Sequence, residues 1–254
     1  MFGLSYPVDV YYPHSLYDNY KCLPVEYAGT TYVVSIDNYR NLKHGLVEAL
    51  KLKDALNSVS GGAARKACGG DVSWMNVFSG KGSPEQIGTA LRYVPLYREA
   101  ILRKYPQYEC SKLLGKCSPE QPQAMLQAVC DKYIGLDCNG FVGNFVHGVD
   151  PKLAPAAGNT GIGTYWSKRT TVRKTLDDIC TLDIVIWRDY HIAIVDNYQW
   201  VGDQWRFSIA QSTGGGPQVY LHKLTAKGGG KFTFHTVHKG QVGGDCEVIS
   251  IGLS

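Results

Sequence analysis

Leu136-Asp137-Cys138-Asn139-Gly140-Phe141-Val142 reads as the start of a helix with a thiol in its first turn. Asp137 is a residue type that caps helices, because its carboxylate accepts backbone N–H groups that the first turn leaves unpaired. Phe141, Val142, Phe145 and Val146 follow as an apolar stripe able to fix the helix to a core. The pattern runs to about His147, where Gly148 and Pro151 stop it. A thiol attacks as its thiolate. The N–H groups and dipole of a helix start favour negative charge, so this position is expected to lower the Cys138 pKa. Gly140 leaves room for another backbone segment to approach the first turn.

A nucleophilic thiol needs a base within reach. Of the seven histidines, His147 lies on the same helix but about half a turn out of phase with Cys138. His191 opens His191-Ile192-Ala193-Ile194-Val195, an alternating strand directly after the turn Arg188-Asp189-Tyr190. On it His191, Ala193 and Val195 share one face, and Ile192 and Ile194 the other. A histidine at the head of a strand, beside small residues, suits a base packed under a helix terminus. A third polar group is expected to orient the imidazole through its other nitrogen. Phe207-Ser208-Ile209-Ala210-Gln211-Ser212 offers Gln211, with Ser208 and Ser212 as rivals. Asp196 has the opposite parity to His191 and is expected to face away. His222, His235 and His238 are assigned to the surface. Gly214-Gly215-Gly216 reads as a turn, since neither a helix nor a Lys-Ser/Thr pair follows it.

Around this centre the chain places helices first and strands second. Thr31–Ile36 reads as a strand, and Leu42–Val59 as a helix through Leu42, Leu46, Val47, Leu50, Ala55 and Leu56, ended by Gly61-Gly62. Residues 61–83 read as a glycine-rich connection. Ser83-Pro84-Glu85 supplies an N-cap and a proline at the first position of a helix toward Lys104, kinked at Pro95. Ser118-Pro119-Glu120 repeats the signal for a helix toward Tyr133. Residues 151–175 read as a long loop in which Trp166 is a candidate cleft wall. Strands are expected at 183–187, 191–198, 204–211, 217–222, 231–237 and 246–252. This order predicts an α+β fold in which the helix bearing Cys138 packs on an antiparallel sheet.

The composition bounds the function. With 254 residues there is room for one large domain, or for a catalytic domain with an accessory region. A hydrophobic content of 44% with 19% charged residues is that of a globular chain and excludes a disordered one. The net charge of +4, with no Lys/Arg run, argues against nucleic acid as a partner. The amino terminus has no basic segment followed by an apolar core, so no secretory signal is expected, and no apolar run approaches a membrane span. None of the eight cysteines forms a CxxC, which argues against a zinc ribbon. Cys110 and Cys117 are spaced for a local disulfide in an oxidising compartment, and most of the others are read as buried thiols.

The order LDCNGFV, then DIVIW followed by HIAIV, then IAQSTGGGPQV, resembles the NlpC/P60 family of papain-like cysteine peptidases. That family shows DCSGFV, GDLVFF, HVGIY, and then a strand with a third polar residue before a glycine-containing turn. The likeness runs from about Tyr133 to Val219. It implies a papain-like α+β fold with 121–254 as the catalytic domain; residues 1–120, outside the likeness, are read as an accessory helical region. The implied activity is hydrolysis of amide bonds in peptidoglycan stem peptides, with no metal and no cofactor. Carried over residue by residue, Cys138 is the nucleophile, His191 the base and Gln211 the orienting group. Tyr133 lines the site near the oxyanion, and the backbone N–H of Cys138 completes the oxyanion hole. Asn139 stands where the family has Ser, Leu182 where it has Gly before Asp183, and Tyr133-Ile134-Gly135 where it has Tyr-x-Trp-Gly-Gly. A wall hydrolase made in the cytoplasm without a signal is expected to leave by another route. Of an antibacterial toxin injected by a contractile (type VI) secretion apparatus and a phage-associated lysin, the toxin is favoured, held in check by a cognate immunity protein. The alternatives are a papain-like deamidase, acyltransferase or protease acting on a protein or lipid, and an inactive wall-binding module.

Overall fold

The computed structural model describes residues 12–40, 46–110, 121–188, 190–236 and 242–253, without the side chains of 109, 110, 236, 242 and 243. The first elements are α1 (Pro13–Lys21) and a hairpin of β1 (Leu23–Tyr27) and β2 (Thr30–Val34). Helices follow: α2 (Leu46–Val59), α3 (Ala63–Ala67), α4 (Asp71–Phe78), α5 (Pro84–Leu96), α6 (Arg98–Lys104), α7 (Gln107–Cys110), α8 (Pro122–Tyr133), α9 (Cys138–Val149) and α10 (Ile162–Ser167). The strands are β3 (Thr171–Val172), β4 (Ile184–Trp187), β5 (His191–Val201), β6 (Gln204–Thr213), β7 (Gly216–Gly228), β8 (Lys231–Thr236) and β9 (Val242–Ser250). The architecture is α+β, as the order of elements predicts.

All six expected strands are present, and they do more than form a sheet. They run antiparallel in the order β9-β4-β5-β6-β7-β8, and β8 pairs back on β9 through Phe232↔Cys246, which closes a barrel. β3 adds outside β9 through Thr171↔Ser250. Alternation then sorts the side chains. Val185, Ala193, Val195, Phe207 and Ile209 fill the barrel with Phe232 and Phe234. Ile184, Ile186, Ile192, Ile194 and Ile249 point outward into a larger core shared with the helices. That core takes Tyr20 from α1, Leu52 from α2, Leu91 from α5, Val129 from α8 and Phe145 from α9. Residues on both sides of position 120 therefore bury their apolar surface together.

Local chemistry accounts for the helix boundaries. Ser83 accepts the Gln86 N–H and the Gln86 side chain accepts the Ser83 N–H, a reciprocal cap that starts α5. Ile87, Ala90, Leu91 and Val94 form its buried stripe. Pro95 has no N–H to continue the ladder, and the helix breaks at Tyr97 before α6. Gly61 and Gly62 take left-handed angles and close α2, with Gly62 N–H bonded to Asn57 O at 2.9 Å.

Several expectations are corrected. α2 buries Ala49, Leu52, Ala55 and Leu56, while Val47 is 67% exposed, because the core meets a face rotated from the expected one. Residues 61–83 fold into α3 and α4, and 151–175 contain α10 and β3 rather than bare loop. The strand at 31–36 is β2, whose partner β1 the sequence reading missed. His222 is not at the surface: it is 6% exposed. Ser118-Pro119-Glu120, the 42–45 part of the expected helix, Cys117 and His238 lie outside the described residues. Leu182, standing where the resembled family has glycine, adopts φ +71°, the left-handed region that suits glycine.

Candidate active site

α9 starts where the sequence places it. Asp137 is extended (φ −93°, ψ 172°), and its carboxylate accepts the Gly140 N–H at 2.5 Å. Lys81 Nζ lies 2.7 Å from the same carboxylate, with the two side chains only 12% and 7% exposed. Three distant segments meet at this turn. Leu136 N–H donates to Asn38 O and Asp137 N–H to Gly80 O, each at 2.9 Å, and Ser212 Oγ donates to Leu136 O at 2.6 Å. The approach leaves no space for a Cβ. On Gly80, at φ +84°, it would stand 1.9 Å from Arg40 O, and on Gly140 it would stand 2.1 Å from Gly80 O. The glycine of the Asp-Cys-x-Gly motif is thus required by a backbone almost sixty residues upstream.

Cys138 is buried, and its Sγ lies 3.9 Å from the Tyr39 hydroxyl. The backbone N–H of Ile192, the second residue of β5, also faces the sulfur. The β5–β6 ladder begins only at Ile194↔Ala210, so His191 has no ladder partner on β6. Across this opening His191 Nε2 meets Gln211 Oε1 at 2.7 Å. An amide oxygen only accepts, so Nε2 carries the hydrogen and Nδ1 the lone pair. The Trp187 ring lies 5.1 Å from the imidazole. Among the described residues no hydrogen bond joins the imidazole to Sγ; the two are coupled through the single backbone step from His191 to Ile192.

Burial decides the resting protonation. It pushes the Cys138 thiol above its ordinary value, and the neighbouring Asp137 carboxylate adds to the rise, against the Ile192 N–H, Tyr39 and Lys81. This corrects the expectation of a lowered pKa at this position: loss of solvation outweighs what the Ile192 N–H, Tyr39 and Lys81 return. Burial also lowers His191, opposed by its bond to Gln211. Thiol and imidazole both rest neutral.

Of the sequence-derived site residues, the structure brings Cys138, His191 and Gln211 to one end of the barrel. Tyr133 is elsewhere engaged: it is 1% exposed, with its ring packed on Tyr108 at 6.2 Å and the Lys132 ammonium over it. The tyrosine beside the thiol is Tyr39. Both rivals of Gln211 are committed to other partners, Ser212 to Leu136 O and Ser208 to Asp196. Asp196 faces away from His191 and holds His14, accepting its N–H at 2.7 Å. Trp166 lies between the guanidinium groups of Arg169 and Arg188, at 4.4 and 4.5 Å. Tyr39, Gly80 and Lys81 escaped the sequence reading. Tyr39 is one of 17 tyrosines, and neither motif nor periodicity singles out any of the three.

Among the described residues no group of three or more His, Cys, Asp or Glu side chains is arranged to hold a metal ion. No described helix is long and apolar enough to cross a membrane. The chain matches no protein-family model, no curated protein and no solved structure. The likeness to NlpC/P60 peptidases therefore rests on the order of motifs in the sequence.

Proposed function

We propose that the protein is a papain-like cysteine hydrolase of the NlpC/P60 type that cleaves amide bonds in peptidoglycan stem peptides. The observation that carries this reading is the thiol of Cys138 at the start of buried α9, set against the N–H that follows His191, with His191 held by Gln211. Sulfur attacks the carbonyl carbon while its proton passes to His191 Nδ1, and the negative charge moves to the carbonyl oxygen. The Cys138 N–H and the Tyr39 hydroxyl are the donors at hand for that oxyanion. His191 returns the proton to the leaving nitrogen as the C–N bond breaks. Water, deprotonated by His191, then releases the acid from the thioester and restores the thiol. Because thiol and imidazole rest neutral, proton transfer accompanies attack rather than preceding it.

The peptide substrate and the delivery route are inferred from the family likeness. The protein is made in the cytoplasm, exported by a secretion apparatus, and acts as an antibacterial toxin in the periplasm or wall of a target cell, with an immunity protein covering the cleft. Mass spectrometry of muropeptides after digestion tests the chemistry: Cys138→Ala is expected to lose cleavage by about a thousandfold or more. Undiminished cleavage by that variant overturns it. Cys138-dependent lysis on periplasmic expression is the expected sign of a toxin, and harmless expression overturns that part.

A further inference from the structure

Asp137 does two things at once. It caps α9, and it sets a carboxylate beside the sulfur that must become an anion. Capping requires only an acceptor, which asparagine or serine supplies without charge. The carboxylate is matched by Lys81, whose Nζ contacts both oxygens, at 2.7 and 3.0 Å. The Lys81 backbone is itself built in. Its N–H donates to Asn76 O at 2.9 Å, and its carbonyl accepts Asn144 Nδ2 from α9 at 3.0 Å. That carbonyl also lies 2.3 Å from where a Cβ on Gly158 would stand. Asn144 continues to the Tyr20 hydroxyl, which donates to Gly82 O. α4, α9 and α1 thus fix the 80–82 turn, and with it the ammonium, under the nucleophile.

Resting on the reading of Cys138 as nucleophile, we infer that the buried Lys81–Asp137 ion pair is a positioning device that sets how readily Cys138 ionises, Lys81 offsetting the anion that capping places beside the sulfur. The titratable groups facing this thiol and its cap are Tyr39 before α2, Lys81, Asp137 itself and, toward Asp137, Tyr20 on α1, while His191 on β5 lies one backbone step from the Ile192 N–H that faces the sulfur. Lys81 is the cation bonded to the cap, so its removal and the removal of the Asp137 charge act on the thiol with opposite signs.

The test is the rate of Cys138 alkylation by iodoacetamide on the full chain, followed peptide by peptide across neutral to alkaline pH. The buried Cys130 and Cys246 serve as internal controls for folding. Lys81→Met is expected to slow alkylation about tenfold at neutral pH, and Asp137→Asn, which keeps the cap, to speed it about tenfold. Lys81→Arg is expected to keep the parent rate, and Lys81→Met/Asp137→Asn to return close to it. If Lys81→Met does not fold, Asp137→Asn and the double variant carry the test. Single variants that move the rate in the same direction, or an unchanged rate in Asp137→Asn, overturn the inference. Alkylation needs no substrate. Absent muropeptide cleavage with these shifts present removes only the hydrolase reading, and cleavage without the shifts removes only the ion-pair inference.

Discussion

Two histidines face the inside of the same barrel and are treated in opposite ways. His191 sits at the open end between β5 and β6, bonded to Gln211. His222 sits within β7, between Phe207 of β6 and Thr236 of β8, and neither of its ring nitrogens has a hydrogen-bond partner among the described residues. Its ring stands edge-on to Phe234 at 5.4 Å; Phe234 touches Trp187 at 5.0 Å, and Trp187 touches His191. Burial lowers both, and takes His222 to about 4. Burial by itself makes a histidine neutral; only a partner makes it directional. The Gln211 oxygen fixes the His191 hydrogen on Nε2 and leaves Nδ1 basic, whereas His222 packs as an aromatic ring with no preferred tautomer.

The sharpest way to break this contrast is to remove each ring in turn. His191→Ala is expected to lower kcat/KM for muropeptide cleavage by about a thousandfold, and His222→Phe to leave it unchanged. Comparable losses in both variants would end the distinction.

The next effect is on stability. The folded pKa of His222 lies below the unfolded value of about 6.5, so the unfolded chain takes up the proton first. Its contribution is complete above that value and is lost as pH falls through the folded one, by about 3 kcal/mol on reaching pH ~4. Urea unfolding at neutral and acid pH reads this directly. His222→Phe should remove that part of the acid loss, and superimposable acid limbs in the two proteins would refute the assignment.

The smallest effect concerns the orienting bond. Gln211→Leu should cost about tenfold in kcat/KM, the worth of one hydrogen bond. Since Gln211 opposes the lowering of His191, the acid limb of the rate profile should also move to lower pH. A profile that stays in place would show that Gln211 does not tune the base.

The parts of the site legible in the sequence are those encoded within one element. The cap at Asp137, the helix stripe after it and the head-of-strand position of His191 follow from local spacing, and Gln211, one of three polar candidates on the next strand, is the one that meets His191. The rest depends on contacts that local spacing does not carry. Barrel closure needs β8 to find β9, and neither strand's alternation records its partner. His222 looked like a surface residue because nothing in its strand shows that this face is enclosed. Tyr133 was placed at the oxyanion by analogy, yet it ends α8 with its ring committed to Tyr108, and Tyr39 arrives from a segment about a hundred residues away. The direction of the thiol pKa is not legible locally, because a helix start is local whereas desolvation depends on everything packed against the sulfur.

Gly80 carries a consequence for how the protein comes into being. Its carbonyl accepts the Asp137 N–H, and its own position is set against Arg40. The turn that presents the nucleophile is therefore knotted from residues far apart in the chain, a contact of high order that forms slowly relative to the helices around it. A nascent or truncated chain can contain the whole Asp-Cys-x-Gly motif and still lack the backbone that shapes it. Reactivity at Cys138 is then a property acquired late in folding, and segment 121–254 made alone should remain chemically quiet.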